Sequence, residues 1–243
     1  AINYLVFDER KATMEELIRV LEDNWEGHDT LRAWATYRVP KYGRDDDVAD
    51  EMARKVMEVW TTETWKHRTS STNRRFRPGM LSWNYWVADS HVLAASADGR
   101  PKGKFLSNAL CPSNGADTNG PTANANSAGK ALGGAAAPGR GDWGTYVNLL
   151  PNGASHTMSF NPSMIRDRAH REKFKAFLRG YCRNGGTALQ VNMIDAEVLK
   201  DAQKHPENYR HLLVRVTGYN AYFTSIGREL QDEIIARESH KQL

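Results

Sequence analysis

From residue 155 to residue 236, short β-type runs alternate with helical ones, and this alternation restricts the chain to an α/β fold. Ser155–Phe160 reads as a short strand. Phe174, Phe177, Leu178 and Tyr181 then share one helical face, and Gly185-Gly186 stop that helix in the usual C′ position. Residues 187–192 read as a strand, Asp195 as the cap of a helix that breaks near Pro206, and residues 212–216 as a further strand. Gly218 follows that strand, and Ile226, Leu230 and Ile234 mark a last helix. Strand periodicity puts Gln190 and Asn192 on the same side of their strand.

The first half is predominantly helical. Residues 13–16 form a capping-box pattern, after which Met14, Leu17, Ile18 and Leu21 repeat at helical spacing. Asp45, Asp46 and Asp47 suit a helix start, where the dipole favours acidic groups, better than a metal site. The helix after them carries Val48, Met52, Val56 and Val59 on one side. Three expectations are less local. The apolar opening, residues 2–7, reads as a strand cut from a larger domain. Residues 81–92, rich in aromatic and β-branched side chains, read as a buried strand. Residues 99–144 hold ten of the nineteen glycines and four prolines, which predicts long ordered loops with little regular structure.

Arg215-Val216-Thr217-Gly218-Tyr219 resembles the loop motif of a family of enzymes that store an unpaired electron on a glycine, the glycyl radical enzymes. A radical on a peptide α-carbon is stabilised by electron donation from the amide nitrogen and withdrawal by the carbonyl, which requires the centre and both flanking amides to be coplanar. A side chain clashes in that planar state, and glycine has none; it also reaches backbone conformations closed to other residues. A glycine at a strand-to-helix turn has a plainer reading too, as punctuation.

The neighbours favour the chemical reading. Arg-Val-x-Gly-Tyr resembles the signature of the glycyl radical enzymes, the pyruvate formate-lyase-like superfamily. So do, in order along the chain, Asp98-Gly99-Arg100, Asn119-Gly120-Pro121-Thr122-Ala123, the run from Asp201 to Glu207 and the tail from Gln231 to Arg237. The resemblance implies the C-terminal part of a ten-stranded α/β barrel wrapped by helices, divided into barrel residues 1–120 and a glycine radical domain at 121–243. It implies that Gly218 stores the radical, with Arg215, Val216, Thr217 and Tyr219 completing the loop motif. It implies further that the chain itself binds no cofactor and that the radical is installed by a partner that uses S-adenosylmethionine and an iron–sulfur cluster. In this family the radical passes to a cysteine on another loop. Neither Cys111, in a loop of another kind, nor Cys182, read as a small buried residue on a helix, matches it. The chain is accordingly expected to be a piece of a longer enzyme, inactive alone. A stand-alone radical-domain protein that repairs a damaged partner is the non-enzyme alternative.

Within the family, Trp83, Tyr85 and Trp86 follow an Arg-Pro-Gly turn at the expected wall of the substrate cavity and predict a large apolar chamber, although aromatic core packing explains any one of them equally well. With residues 119–130 and 150–157, they resemble the branch that adds an alkane or methylarene to fumarate, as alkylsuccinate and benzylsuccinate synthases do. Fumarate and a hydrocarbon are the substrates this implies, with accessory subunits and homodimerisation as further expectations. Diol or glycerol dehydratases, choline trimethylamine-lyase, arylacetate decarboxylases and formate acetyltransferase are the alternatives. Gln190 and Asn192 could donate to a dicarboxylate, but a role in supporting the glycine loop is favoured. Arg215 and His156 read as polar contacts of ordinary structural kind.

Other classes find little support. The net charge is +4 and scattered, with one cluster at Arg74, Arg75 and Arg77, which does not make a nucleic-acid stripe. No apolar run approaches a bilayer span, two cysteines are too few for a disulfide framework, and no spacing resembles a zinc site. A cytoplasmic protein is the expectation.

Overall fold

A computed structural model of the chain describes residues 1–132, 149–237 and 239–240. The N-terminal third is helical: α1 (Met14–Glu22), α2 (Asp29–Ala33) and α3 (Asp47–Trp65). The start of α1 is fixed by the capping box, with Thr13 accepting from Glu16 N–H at 3.2 Å and Glu16 Oε2 accepting from Thr13 N–H at 2.7 Å. Asp46 caps α3 by accepting from Val48 and Ala49 N–H, so the acidic triplet serves a helix start. Leu5, Leu17, Val20, Trp25, Ala35 and Val39 form the core beneath these helices. By contrast Val48, Met52, Val56 and Val59 stand exposed along α3.

Two expected strands are instead helical. Residues Asn3–Asp8 form a π-helical turn with Leu5 buried. A short apolar run fits helix and strand alike, and no strand among the described residues pairs with it. Within 81–92 the only regular element is α4 (Tyr85–Ala88). Trp86 and Val87 are buried, but Leu81, Trp83, Tyr85 and Val92 are exposed.

The glycine-rich stretch also differs from expectation, for it contains α5 (Gly120–Ala131). Its small Asn, Ser and Ala side chains, and its glycine, let it approach its neighbours closely. A Cβ on Gly129 would lie 2.4 Å from the Asn184 carbonyl oxygen. The contact with α3 is closed by Lys130, whose Nζ lies 2.7 Å from Asp45 and 2.5 Å from Asp47. Residues 133–144 of that stretch lie outside the described residues.

The second half runs β1 (Ser155–Phe160), α6 (Arg168–Arg183), β2 (Ala188–Met193), α7 (Ala196–Lys204), β3 (Leu213–Arg215), β4 (Asn220–Tyr222), α8 (Arg228–Ala236) and β5 (Ser239–His240); the sequence predicts all of these but β4 and β5, so that Gly218 falls in a strand-to-strand turn and not in a strand-to-helix one. β1 lies between β2 and β5 and is parallel to both, with Thr157 opposite Gln190 and Ser159 opposite Asn192. α6 packs Phe174 and Phe177 edge-on against Phe160, at ring distances of 5.2 and 5.5 Å. Cys182, expected to be buried, is exposed on this helix. β3 and β4 form an antiparallel hairpin whose last pair is Arg215 with Asn220. Below it lie Trp86, Leu199, Val214, Val216, Phe223 and Ile234.

Candidate functional site: the Gly218 turn

The hairpin closes through Val216-Thr217-Gly218-Tyr219, with Val216 N–H donating to Tyr219 O at 3.0 Å. Val216 and Thr217 are buried, while Gly218 and Tyr219 are exposed. Gly218 has φ +65°, the left-handed region that side-chain-bearing residues enter at a cost. Among the described residues crowding does not require glycine here: a Cβ at this position would meet only Gln190 Nε2, at 3.9 Å.

The turn is held from β2. Gly218 N–H donates to Gln190 Oε1 at 2.8 Å, and Thr157 Oγ1 on β1 donates to the same oxygen at 3.2 Å, so two donors fix the orientation of that amide. Two residues along, Asn192 Oδ1 accepts from Arg215 N–H and its Nδ2 donates to Arg215 O, both at 3.0 Å. This side chain therefore does for β3 what a neighbouring strand would do. Gln190 and Asn192 are 9% and 6% exposed, so these bonds are made away from solvent.

A third support comes from the residue after α8. Arg237 Nη1 donates to Arg215 O at 3.1 Å and Nη2 to Val216 O at 3.0 Å. The guanidinium is paired with Glu233 at 2.9 Å, the two side chains being 8% and 1% exposed, and it lies over the ring of Trp86 at 5.7 Å. Sequence reasoning quoted this tail as a motif but assigned Arg237 and Glu233 no role. Their i, i+4 spacing marks a helical ion pair, and nothing local marks a contact with a loop 21 residues earlier. Thr157 was missed for the same reason.

The structure thus brings Gln190, Asn192 and, through Arg237, Trp86 to the turn. Trp83 and Tyr85 stand on the surface, 64% and 60% exposed, and Trp83 has φ +49°, uncommon for a bulky residue. Arg215 reaches Asn220 Oδ1 at 3.3 Å, and buried His156 bonds Asn124 at 2.9 Å.

Cys111 sits beside the same network. Its Sγ accepts from Thr157 N–H at 3.2 Å and donates to Thr157 O at 3.4 Å. Burial pushes this thiol up to about 11, so it stays neutral at pH 7. Among the described residues no group of three or more His, Cys, Asp or Glu side chains could hold a metal ion, and no helix is long and apolar enough to cross a membrane.

Comparison with known proteins agrees with this geometry. The family model described as Glycine radical matches residues 146–224, which contain the turn and the strands that hold it, and the model described as Pyruvate formate lyase-like matches residues 1–88. The chain belongs to the glycyl radical enzymes of the pyruvate formate lyase-like superfamily. Among its relatives, trans-4-hydroxy-L-proline dehydratase of Clostridioides difficile is 32% identical over 98% of this chain and 28% of its own length. Isethionate sulfite-lyase of Bilophila wadsworthia is 34% identical over 100% of this chain and 28% of its own length. The glycerol-bound B12-independent glycerol dehydratase from Clostridium butyricum superposes with a TM-score of 0.87, at 32% identity, over 99% of this chain and 29% of that one. The chain therefore spans under a third of the length of these relatives. Its mixed α/β fold is that of the glycyl radical enzyme barrels.

These relatives do not support the fumarate-adding branch expected from the sequence; they side with its dehydratase and lyase alternative. The strand expected to carry Trp83, Tyr85 and Trp86 is not formed: Trp86 lies on α4 in the core, and Trp83 and Tyr85 are exposed in this part of the barrel.

Proposed function

We propose that Gly218 carries the stored radical of a glycyl radical enzyme of the dehydratase or lyase type, which eliminates a leaving group from a small polar substrate. The observation that carries the reading is the Gly218 turn itself: a glycine at φ +65° whose N–H is bonded to a buried amide, inside the segment matched as Glycine radical. An activating enzyme removes one hydrogen atom from the Gly218 α-carbon and leaves one unpaired electron there. S-adenosylmethionine and an iron–sulfur cluster in that partner supply the chemistry of this step. The chain's own part is to hold the α-carbon and its flanking amides in place, which Gln190, Asn192 and the motif residues Arg215, Val216, Thr217 and Tyr219 do. In turnover the radical takes hydrogen from a cysteine thiol, and the thiyl formed takes hydrogen from the substrate. We assign that thiol to neither Cys111, locked to the Thr157 backbone, nor exposed Cys182. The small substrates named for the relatives support elimination chemistry. A division between residues 120 and 121 is part of the same proposal, supported by the two family matches on either side of it.

The test uses the whole enzyme with its activating enzyme, without oxygen. Electron paramagnetic resonance is expected to show a doublet that collapses when glycine is deuterated at the α-carbon, and air is expected to cut the chain at Gly218. Glycerol, trans-4-hydroxy-L-proline and isethionate are then offered beside fumarate with toluene. A succinate adduct would overturn the branch, and a missing doublet would overturn the whole reading.

A further inference from the structure

The radical reading accounts for the glycine and its β2 supports but leaves a buried ion pair unexplained. Glu233 and Arg237 take two charges out of water beside the turn, an arrangement that adds little stability compared with apolar packing of the same volume. Its geometry is directed. Glu233 Oε1 and Oε2 accept from Arg237 Nε at 3.2 and 3.1 Å, which turns the free edge of the guanidinium toward the hairpin. The two terminal nitrogens then meet two consecutive carbonyls, Arg215 O and Val216 O, the two peptide oxygens that precede Thr217 as the chain enters the turn. A planar fork with fixed donors suits this task in a way a lysine ammonium does not.

The geometry points to Arg237 as a positioning residue for the radical centre, oriented by Glu233. This rests on the assignment of the radical to Gly218. Gln190 holds the N–H side of Gly218, and Arg237 holds the strand that enters the turn. Between them they leave the α-carbon one orientation. A hydrogen atom must pass to and from that carbon, and transfer is acutely sensitive to sub-ångström placement. Arg237 touches no reacting atom; it acts through the backbone.

The test is Arg237→Lys in the whole enzyme. This keeps a cation beside Glu233 but removes the fork, and Glu233→Gln serves as a second variant that keeps the side-chain shape. Before activation, amide hydrogen exchange is read over residues 212–222. Exchange at Gly218 is expected to quicken by at least ~10-fold in Arg237→Lys, because local opening becomes easier. After activation, the variant is expected to keep a radical signal, but with an altered α-hydrogen splitting. Its kcat should fall by roughly 10–100-fold with KM little changed, the mark of lost positioning and not of lost substrate binding. A wild-type doublet together with unchanged exchange, splitting and kcat in both variants overturns the clamp alone. A wild-type enzyme without the doublet, or a doublet that survives Gly218→Ala, overturns the radical assignment and the clamp with it.

Discussion

At position 218 two reasons for glycine separate cleanly. The left-handed backbone disfavours other residues by about 1–2 kcal/mol, yet the described residues leave room for a methyl group, since the nearest of their atoms to an added Cβ is 3.9 Å away. Gly218→Ala is therefore expected to fold, with stability lowered by about 1–2 kcal/mol, and to hold no radical. Denaturant titration and electron paramagnetic resonance on the same sample check both halves. Loss of the fold would assign the glycine to structure, and a surviving radical would remove it from the chemistry. Two neighbouring residues show how far the sequence spoke for itself at this scale. Gln190 and Asn192 were legible as a same-side pair because strand periodicity is local. Arg237 was not, because its partners at 215 and 216 are brought to it by the course of the chain through β4 and α8.

Among elements, the link between β2 and β3 has no backbone ladder. It runs through the Asn192 side chain, which satisfies both polar groups of Arg215. Asn192→Leu would leave Arg215 N–H without that acceptor, while Arg215 O keeps Arg237. One stranded donor costs about 1–3 kcal/mol, so urea unfolding should detect a loss of that size. The hairpin amides should exchange faster than those of α1, and a uniform rise across both would show that the link is not local. The elements that sequence reasoning located are those with local markers. Thr13, Asp46 and Asp195 each accept from a backbone N–H of the helix they start, and β1 and β2 fall where expected. The misplaced elements lack such markers. Residues 81–92 were read from aromatic and β-branched content, a preference that local context overrides when no alternating period goes with it. α5 was hidden by its glycine and asparagine content, although that content is what lets it lie against Asn184.

At the scale of the whole molecule, the turn belongs to the core formed by the hairpin, α7 and α8, and its hydrogen bonds reach across to β1 and β2, whose own core is formed with α6. A path of hydrogen bonds runs from the 108–117 loop region through Cys111 and Thr157 to Gln190 and Gly218. The Cys111 thiol is its titratable member. Burial raises it to about 11 from an ordinary value of 9.0, so the folded chain keeps a proton that the unfolded chain gives up. The sign follows from linkage: below pH 9 this contribution to stability is complete, and it declines as pH climbs through 9 toward 11, because the unfolded state then binds fewer protons. Melting temperature should fall across that window more steeply for the native chain than for Cys111→Ala, whose curve starts lower but stays flatter. Half-buried Tyr42 and buried Tyr181 are also raised, by desolvation first and by the Cys111 charge next, so their slopes above pH 10 change with the substitution and the comparison is read between pH 9 and 10. Parallel curves there would place the proton elsewhere and detach Cys111 from the stability of the turn.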